Sequence, residues 1–335
     1  MAKYKRNKTI TIYIYRELWG DIVGENEREV LLDVSDLRKS FKGSSGRVEA
    51  LSGVSFKVFS REIFGIVGES GSGKTTVGRI ISGLYSPSSG SVRLGNEVIA
   101  LGEDELGKMK RSAPTEYKRL RRVMRSGRAH PEIRMVFQDP TASLNPRMNV
   151  LEQVGEALLA TGVRDKAEIG EGVRRAIADV GLPPSCLYRY PHEFSGGQRQ
   201  RIGIARAIIT KPRLLIADEP VSALDVSVGA QVINLIYDLA RERGMSVIFI
   251  AHDLSLVRHV CDRVAVMYKG RIVELAESEE LFRHPTHPYT VALLSAIPEP
   301  DPFFAKRAVR RVYEGGGLEG ELCEVSSGHL VLMDG

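Results

Sequence analysis

The stretch Gly68-Glu69-Ser70-Gly71-Ser72-Gly73-Lys74-Thr75-Thr76 constrains this chain more than any other. It fits G-x-x-x-x-G-K-[ST], the pattern of a phosphate-binding P-loop. A nucleoside triphosphate carries several negative charges that a protein must wrap closely. Glycines 68, 71 and 73 have no Cβ to clash, so the backbone can curl with its N–H groups inward. Lys74 can reach the β- and γ-phosphates as a point charge, and the Thr75 hydroxyl can ligate Mg²⁺. Ile63 to Val67 before the loop is a short apolar run suited to a buried strand. Val77, Ile80, Ile81 and Leu84 after it recur at helical spacing. The loop is therefore expected between a strand and a helix N-terminus, where the helix dipole also favours phosphate. A plain Gly/Ser-rich turn would not need both flanks.

The chain has 335 residues, 43% of them hydrophobic, which suits one large domain with an additional piece. The net charge of +5 fits a nucleic-acid, membrane or nucleotide partner, and fits ordinary surface charge as well. Cys186, Cys261 and Cys323 are odd in number and form no C-x-x-C pair, against a disulfide framework or zinc ribbon and in favour of a reducing compartment. No apolar run is long enough to span a bilayer, so membrane contact is expected only through partners.

Read in order, residues 1–29 are expected to be an add-on extension. Strands are expected at Val30 to Val34, Val54 to Val58, Ser91 to Leu94 and Val98 to Leu101, the last two in a small antiparallel sheet. Between Lys108 and Arg128 lies a basic segment, readable as a nucleic-acid or lipid contact or as a solvated amphipathic helix. Arg134 to Asp139 reads as a strand entering a loop, and Val150 to Leu182 as a helical insert. Two further buried strands follow, Leu214 to Asp218 and Ser246 to Ala251, with a helix between them. Strands alternating with helices imply a parallel layered sheet with ligand residues at the strand carboxyl ends. Five prolines between 285 and 302 mark a linker, and the tail beyond it has too weak a pattern for a fold.

Chemistry concentrates at a few places. Asp218 ends an apolar strand where a Mg²⁺ partner of the P-loop belongs, and Glu219 beside it suits a general base. Alone, this pair could cap a helix or form surface salt bridges. Gln138 as a metal or water ligand, and His252 as a γ-phosphate contact, draw their weight from the company they keep. Phe41 could stack on a base or be an edge aromatic. Ser195-Gly196-Gly197-Gln198 opens a helix with small residues and bare N–H groups, a second anion site. One chain then carries two phosphate-binding helix ends, serving either two ligands or one nucleotide shared between chains.

The set in this order resembles the ATP-binding cassette (ABC) ATPases. The likeness covers about residues 30–280, with Gly68 to Thr76 as Walker A, Gln138 as Q-loop and Ser195 to Gln198 as signature. Leu214 to Glu219 match Walker B, Ser222 to Asp225 the D-loop and His252 the H-loop, with Phe41 in the place of the base-stacking aromatic. Val136 to Pro140, Ser143 to Pro146, Ala217 to Val228 and His284 to Thr290 narrow it to the oligopeptide/dipeptide importer ATPases. Arg147-Met148 and Pro220-Val221-Ser222 lean towards the second of their two paired ATPases.

The resemblance implies a P-loop α/β fold: a mainly parallel core sheet, an antiparallel β subdomain, a helical signature subdomain (about 138–205) within an ATPase domain of 30–284, and a C-terminal extension at 285–335. It implies ATP and Mg²⁺ as cofactors. Nucleotide contacts would come from Phe41, Gly68, Ser70, Gly71, Ser72, Gly73, Lys74, Thr75, Thr76, Ser195, Gly196, Gly197, Gln198 and Asp225. Thr75, Gln138 and Asp218 would serve the metal, and Glu219, His252 and Gln138 the chemistry. Expected partners are a sibling ATPase docked head to tail (a heterodimer or a homodimer), two transmembrane permease subunits and, indirectly, an extracytoplasmic solute-binding protein, with this chain peripheral at the cytoplasmic face of the membrane. No nucleic acid is expected. An importer for oligosaccharide or nickel, or a soluble ABC ATPase acting on nucleic acid or ribosomes, are the alternatives. With Cys323 alone in the tail an iron–sulfur cluster is doubtful, residues 123–131 look inserted, and the first 29 residues match nothing in the family.

Overall fold

A computed structural model describes residues 28–43, 46–126, 130–296, 313, 315–316, 318 and 320–334. The expected N-terminal add-on falls almost wholly outside these residues, as does the middle of the apparent insertion at 123–131.

Two sheets form the body. The smaller contains β1 (Val30–Gly43), β2 (Gly46–Phe59), β4 (Ser89–Leu94) and β5 (Glu97–Leu101), all antiparallel, in the order β2-β1-β4-β5. β1 and β2 are each 14 residues long, so Phe41 lies within a strand rather than in a connection between short ones. The larger sheet takes in β3 (Ile63–Val67), β6 (Ile133–Val136), β7 (Leu214–Asp218), β8 (Ser246–Ala251), β9 (Arg263–Tyr268), β10 (Arg271–Glu277), β11 (Gly320–Ser326) and β12 (His329–Asp334). Its order is β11-β12-β10-β9-β3-β8-β7-β6. The pairs from β9 to β6 are parallel, and those from β9 outward to β11 antiparallel.

Period-two alternation explains how two hydrophobic layers share this sheet. Phe64, Ile66, Leu214, Ile216, Ile248 and Ile250 face the antiparallel sheet and the helix α1 (Lys74–Ile81). Val67, Leu215, Ala217, Val247 and Phe249 face helices α8 (Val226–Arg243) and α9 (Leu254–Val260). β3, β7 and β8 are buried along their whole length, as strands covered on both faces must be, and hence read as continuous apolar runs.

The basic segment forms two helices, α2 (Glu103–Ser112) and α3 (Pro114–Ser126). Arg119 pairs there with Glu97 and Glu116, so part of its charge is compensated internally. Beyond β6 come α4 (Pro140–Ser143), α5 (Val150–Thr161), α6 (Lys166–Asp179) and α7 (Gly196–Ile208). An Asn149–Glu152 capping box starts α5, and Gly162 at φ 104° ends it, dividing the expected helical stretch in two.

The C-terminal region departs from expectation. α10 (Ser278–Arg283) follows β10. Pro288 does not extend a linker but opens α11 (Pro288–Ser295), where its missing N–H costs nothing. The tail, for which the sequence suggested no fold, forms the β11–β12 hairpin and joins the main sheet through Glu274↔Val331 and Leu275↔Leu330.

Candidate nucleotide site

β3 delivers the chain to the phosphate loop, and α1 begins at Lys74. Gly68 sits at φ 147°, and a Cβ there would lie 2.1 Å from the Met267 carbonyl oxygen. Only glycine lets the loop lie this close to β9. The Gly270 N–H donates to Ser72 O at 3.0 Å and fixes the far side.

Lys74 Nζ donates to Gly68 O and Glu69 O, both at 2.8 Å, and folds back under its own loop. Burial lowers its pKa, while the carboxylates of Glu219, Asp218 and Glu69 act in the opposite sense. The Ser72 hydroxyl is buried in the cradle with no hydrogen-bond partner among the described residues. A lysine spending its donors on loop carbonyls, and a buried hydroxyl without a partner, fit a loop shaped for phosphate. Ser70 and Gly71 stand exposed at the loop tip, and Thr76 lies in the first turn of α1.

At the end of β7, Asp218 Oδ1 accepts the Thr75 hydroxyl at 2.9 Å. Burial pushes the Asp218 carboxyl upward, against the pull of that bond. Hydroxyl and carboxylate thus meet beside the phosphate loop, a donor pair that suits a hard cation such as Mg²⁺. Glu219 follows at φ 44°, a left-handed conformation costly for a residue with a Cβ, and its N–H is held by Ile250 O at 2.9 Å. Its carboxylate is gathered from both sides: Gln138 Nε2 donates to Oε2 at 2.9 Å, and His252 Nδ1 lies 3.4 Å from the same oxygen. Gln138 comes just after β6 and His252 just after β8. Because β6, β7, β8 and β3 are neighbours and parallel, their carboxyl ends bring residues from four distant stretches to one edge. Asp218 and Lys74 are buried there, whereas Gln138 and His252 are exposed, so one side of the site is open.

Other predicted residues lie elsewhere. Ser195 caps α7: its Oγ accepts Gln198 N–H at 3.4 Å, and Gln198 Oε1 accepts Ser195 N–H at 3.0 Å. The helix end is less bare than its small residues suggested. Gly196 and Gly197 pack beside Leu224 and Val228, so the signature adjoins the Asp225 turn. Asp225 Oδ1 accepts Val228 N–H and Ser227 Oγ–H, which hold its carboxyl below its ordinary range. These groups serve here as helix caps. Phe41 is 37% exposed, and its ring meets Tyr85 edge-on at 5.5 Å. It pairs with Val48 on β2, two residues before Ala50, whose carbonyl borders Gly73. Sequence reasoning gave no role to Tyr289, whose hydroxyl bonds to the loop at Glu69; a contact across 220 residues leaves no local signal.

A phosphate loop, a carboxylate bonded to its Thr75 and a second carboxylate next to it, on a parallel sheet flanked by an antiparallel sheet and a helical arm, define an ATP-hydrolysing cassette. Comparison with known proteins agrees. The family model described as ABC transporter matches residues 51–222, and that of the oligopeptide/dipeptide transporter C-terminal region matches residues 273–312. The oligopeptide transport ATP-binding protein OppF of Streptococcus mutans is 45% identical over 311 residues, 91% of this chain and 95% of that protein. The dipeptide transport ATP-binding protein DppF of Lactococcus lactis is also 45% identical, over 91% of this chain and 94% of its own. Among solved structures, a dimeric post-hydrolysis state of the cassette MJ0796 bound to ADP and Pi superposes with a TM-score of 0.61 at 27% identity, covering 74% of this chain and 99% of that one.

The chain belongs to the ABC transporter family, with the C-terminal region of the oligopeptide/dipeptide branch. It is accordingly an ATPase that uses ATP with Mg²⁺, and membership implies dimerisation and membrane permease partners. Among the described residues no helix is long and apolar enough to cross a membrane.

Proposed function

We propose that this chain energises the uptake of di- and oligopeptides, paired head to tail with a sibling ATPase and docked on two permease subunits at the cytoplasmic face of the membrane. The observation that carries this reading is the likeness to peptide-transport ATP-binding proteins over nine-tenths of the chain, the C-terminal region included. An extracytoplasmic binding protein delivers the solute.

Within the site, Lys74 and the loop N–H groups of residues 70–76 hold the phosphates. Thr75 and Asp218, with Gln138, would hold Mg²⁺, which would supply charge neutralisation on the phosphate oxygens. Glu219 takes the proton of the attacking water, and its carboxylate is oriented by Gln138 and His252. Phe41 stacks on the adenine. The open side formed by Gln138 and His252 is closed by the sibling's signature, and Ser195 to Gln198 with Asp225 do the same for the sibling's nucleotide. ATP then favours the closed pair through contacts that ADP lacks, which is the source of the mechanical stroke.

Reconstitution in lipid vesicles with the sibling, permeases and binding protein tests the reading. Peptide should stimulate hydrolysis and accumulate inside. Stimulation by oligosaccharide or nickel and not by peptide would replace the assigned solute. In the same assembly, with this chain's P-loop disabled, Ser195→Ala should depress hydrolysis at the sibling's site. Full activity there would refute the shared nucleotide.

A further inference from the structure

Glu69 is the second residue of the phosphate loop, and both its backbone N–H and its C=O are engaged. Its C=O accepts Lys74 Nζ at 2.8 Å. Its N–H donates to Tyr289 Oη at 3.1 Å. Tyr289 is 2% exposed, and burial pushes its phenol up to about 12, so it stays neutral at physiological pH. The ring is clamped by Tyr268 at 4.3 Å and Tyr313 at 5.7 Å between centroids. Tyr268 ends β9, next to the Met267 carbonyl against which Gly68 rests.

Behind the phenol stands a buried relay. Tyr289 N–H donates to His287 Nδ1 at 3.1 Å. The N–H groups of Thr286 and His287 donate to the two oxygens of Glu274, at 2.8 and 3.0 Å. Glu274 is 0% exposed, and the side chain of His329, on β12 of the terminal hairpin, meets it at 2.8 Å. One carboxylate therefore ties the last hairpin to the turn that presents Tyr289.

We propose that Tyr289 is a positioning residue of the nucleotide site: it holds the phosphate loop in its binding shape, and Glu274, pinned by His329, holds Tyr289 in place. The inference rests on the P-loop as the nucleotide site. A loop that occupies its binding shape only part of the time weakens every ligand by that fraction. ATP and ADP, which share the loop, should be affected alike. Asp218 ends β7 and Glu219 follows it, and their side-chain bonds run to Thr75, Gln138 and His252 rather than to this strut, so turnover at saturation should hold.

Tyr289→Phe keeps the ring and removes the acceptor. In the purified full chain with Mg²⁺, the dissociation constants of ATP and ADP should both rise about five- to twenty-fold, as expected for a lost acceptor to a partly shielded N–H. In the assembled ATPase, KM for ATP should rise by the same factor with kcat within about two-fold. Hydrogen exchange in the loop peptide should quicken. Lys74→Ala is the control for the underlying reading. If it abolishes binding while Tyr289→Phe leaves both affinities unchanged, the strut is refuted and the P-loop site stands. A fall in kcat alone, or in melting temperature with affinities intact, also refutes it, since simple packing would produce that. If Tyr289→Phe does not fold, His329→Gln, which loosens Glu274 from outside, decides: raised KM and nucleotide dissociation constants support the relay, and unchanged ones overturn it.

Discussion

Replacing Glu219 by Gln is the most direct test of the hydrolytic assignment. The side chain has the same length, and one amide oxygen can still accept Gln138 Nε2, which stands 2.9 Å from the present carboxylate. The backbone N–H bond to Ile250 O is untouched, so the left-handed turn that aims the side chain survives. The substitution removes little except proton affinity. General-base catalysis is worth on the order of 10²- to 10⁴-fold, or about 3–5 kcal/mol of barrier. Single-turnover hydrolysis should slow by that factor, while the affinity for ATP·Mg²⁺ changes little, because Lys74, Thr75 and Asp218 remain. The assay pairs rapid-quench phosphate release with equilibrium nucleotide binding on the same preparation. Hydrolysis within about three-fold of wild type, with ATP bound normally, would refute Glu219 as the base.

Three further outcomes are expected. Phe41→Ala should weaken ATP binding by about 1–3 kcal/mol, with Trp restoring it; equal affinity in titration would leave the ring a packing partner of Tyr85. Gly68→Ala would place a Cβ 2.1 Å from Met267 O at φ 147°, so nucleotide binding should be lost with a destabilisation of about 2 kcal/mol or more; normal affinity and melting temperature would refute the close approach. Burial raises Glu62 from 4.5 to about 7, and Arg263 at 3.2 Å only partly offsets this. The folded state then binds more protons than the unfolded state, so this group's stabilising contribution is full at acid pH and is lost as pH rises through about 7; denaturant titrations between about pH 5 and 8 should show this decline, and Glu62→Gln should flatten it.

What the sequence by itself determined is the chemistry and its order. A phosphate loop is a local object: glycines, Lys74 and Thr75 act within one turn of chain, so nine consecutive residues suffice to specify it. The same holds for Asp218 and Glu219 at the end of an apolar run, and for the alternation of strand and helix that fixes which strand ends carry ligands. The tertiary structure alone decided which of these residues meet. Gln138 and His252 are ordinary loop residues until neighbouring parallel strands bring both to Glu219, a pairing that depends on sheet order rather than on any spacing along the chain. Ser195 and Asp225 also cap helices within this chain, Ser195 through the S-x-x-Q spacing of a capping box that it shares with Gln198. The terminal hairpin escaped because β11 is largely exposed, so its side chains lack the alternation that burial imposes. Its place is fixed instead by a register against β10 and by His329 on a buried carboxylate. Tyr289 reaches Glu69 only after the chain has closed a loop of 220 residues, and long-range closure of that kind is encoded in the whole fold, not in any stretch of it.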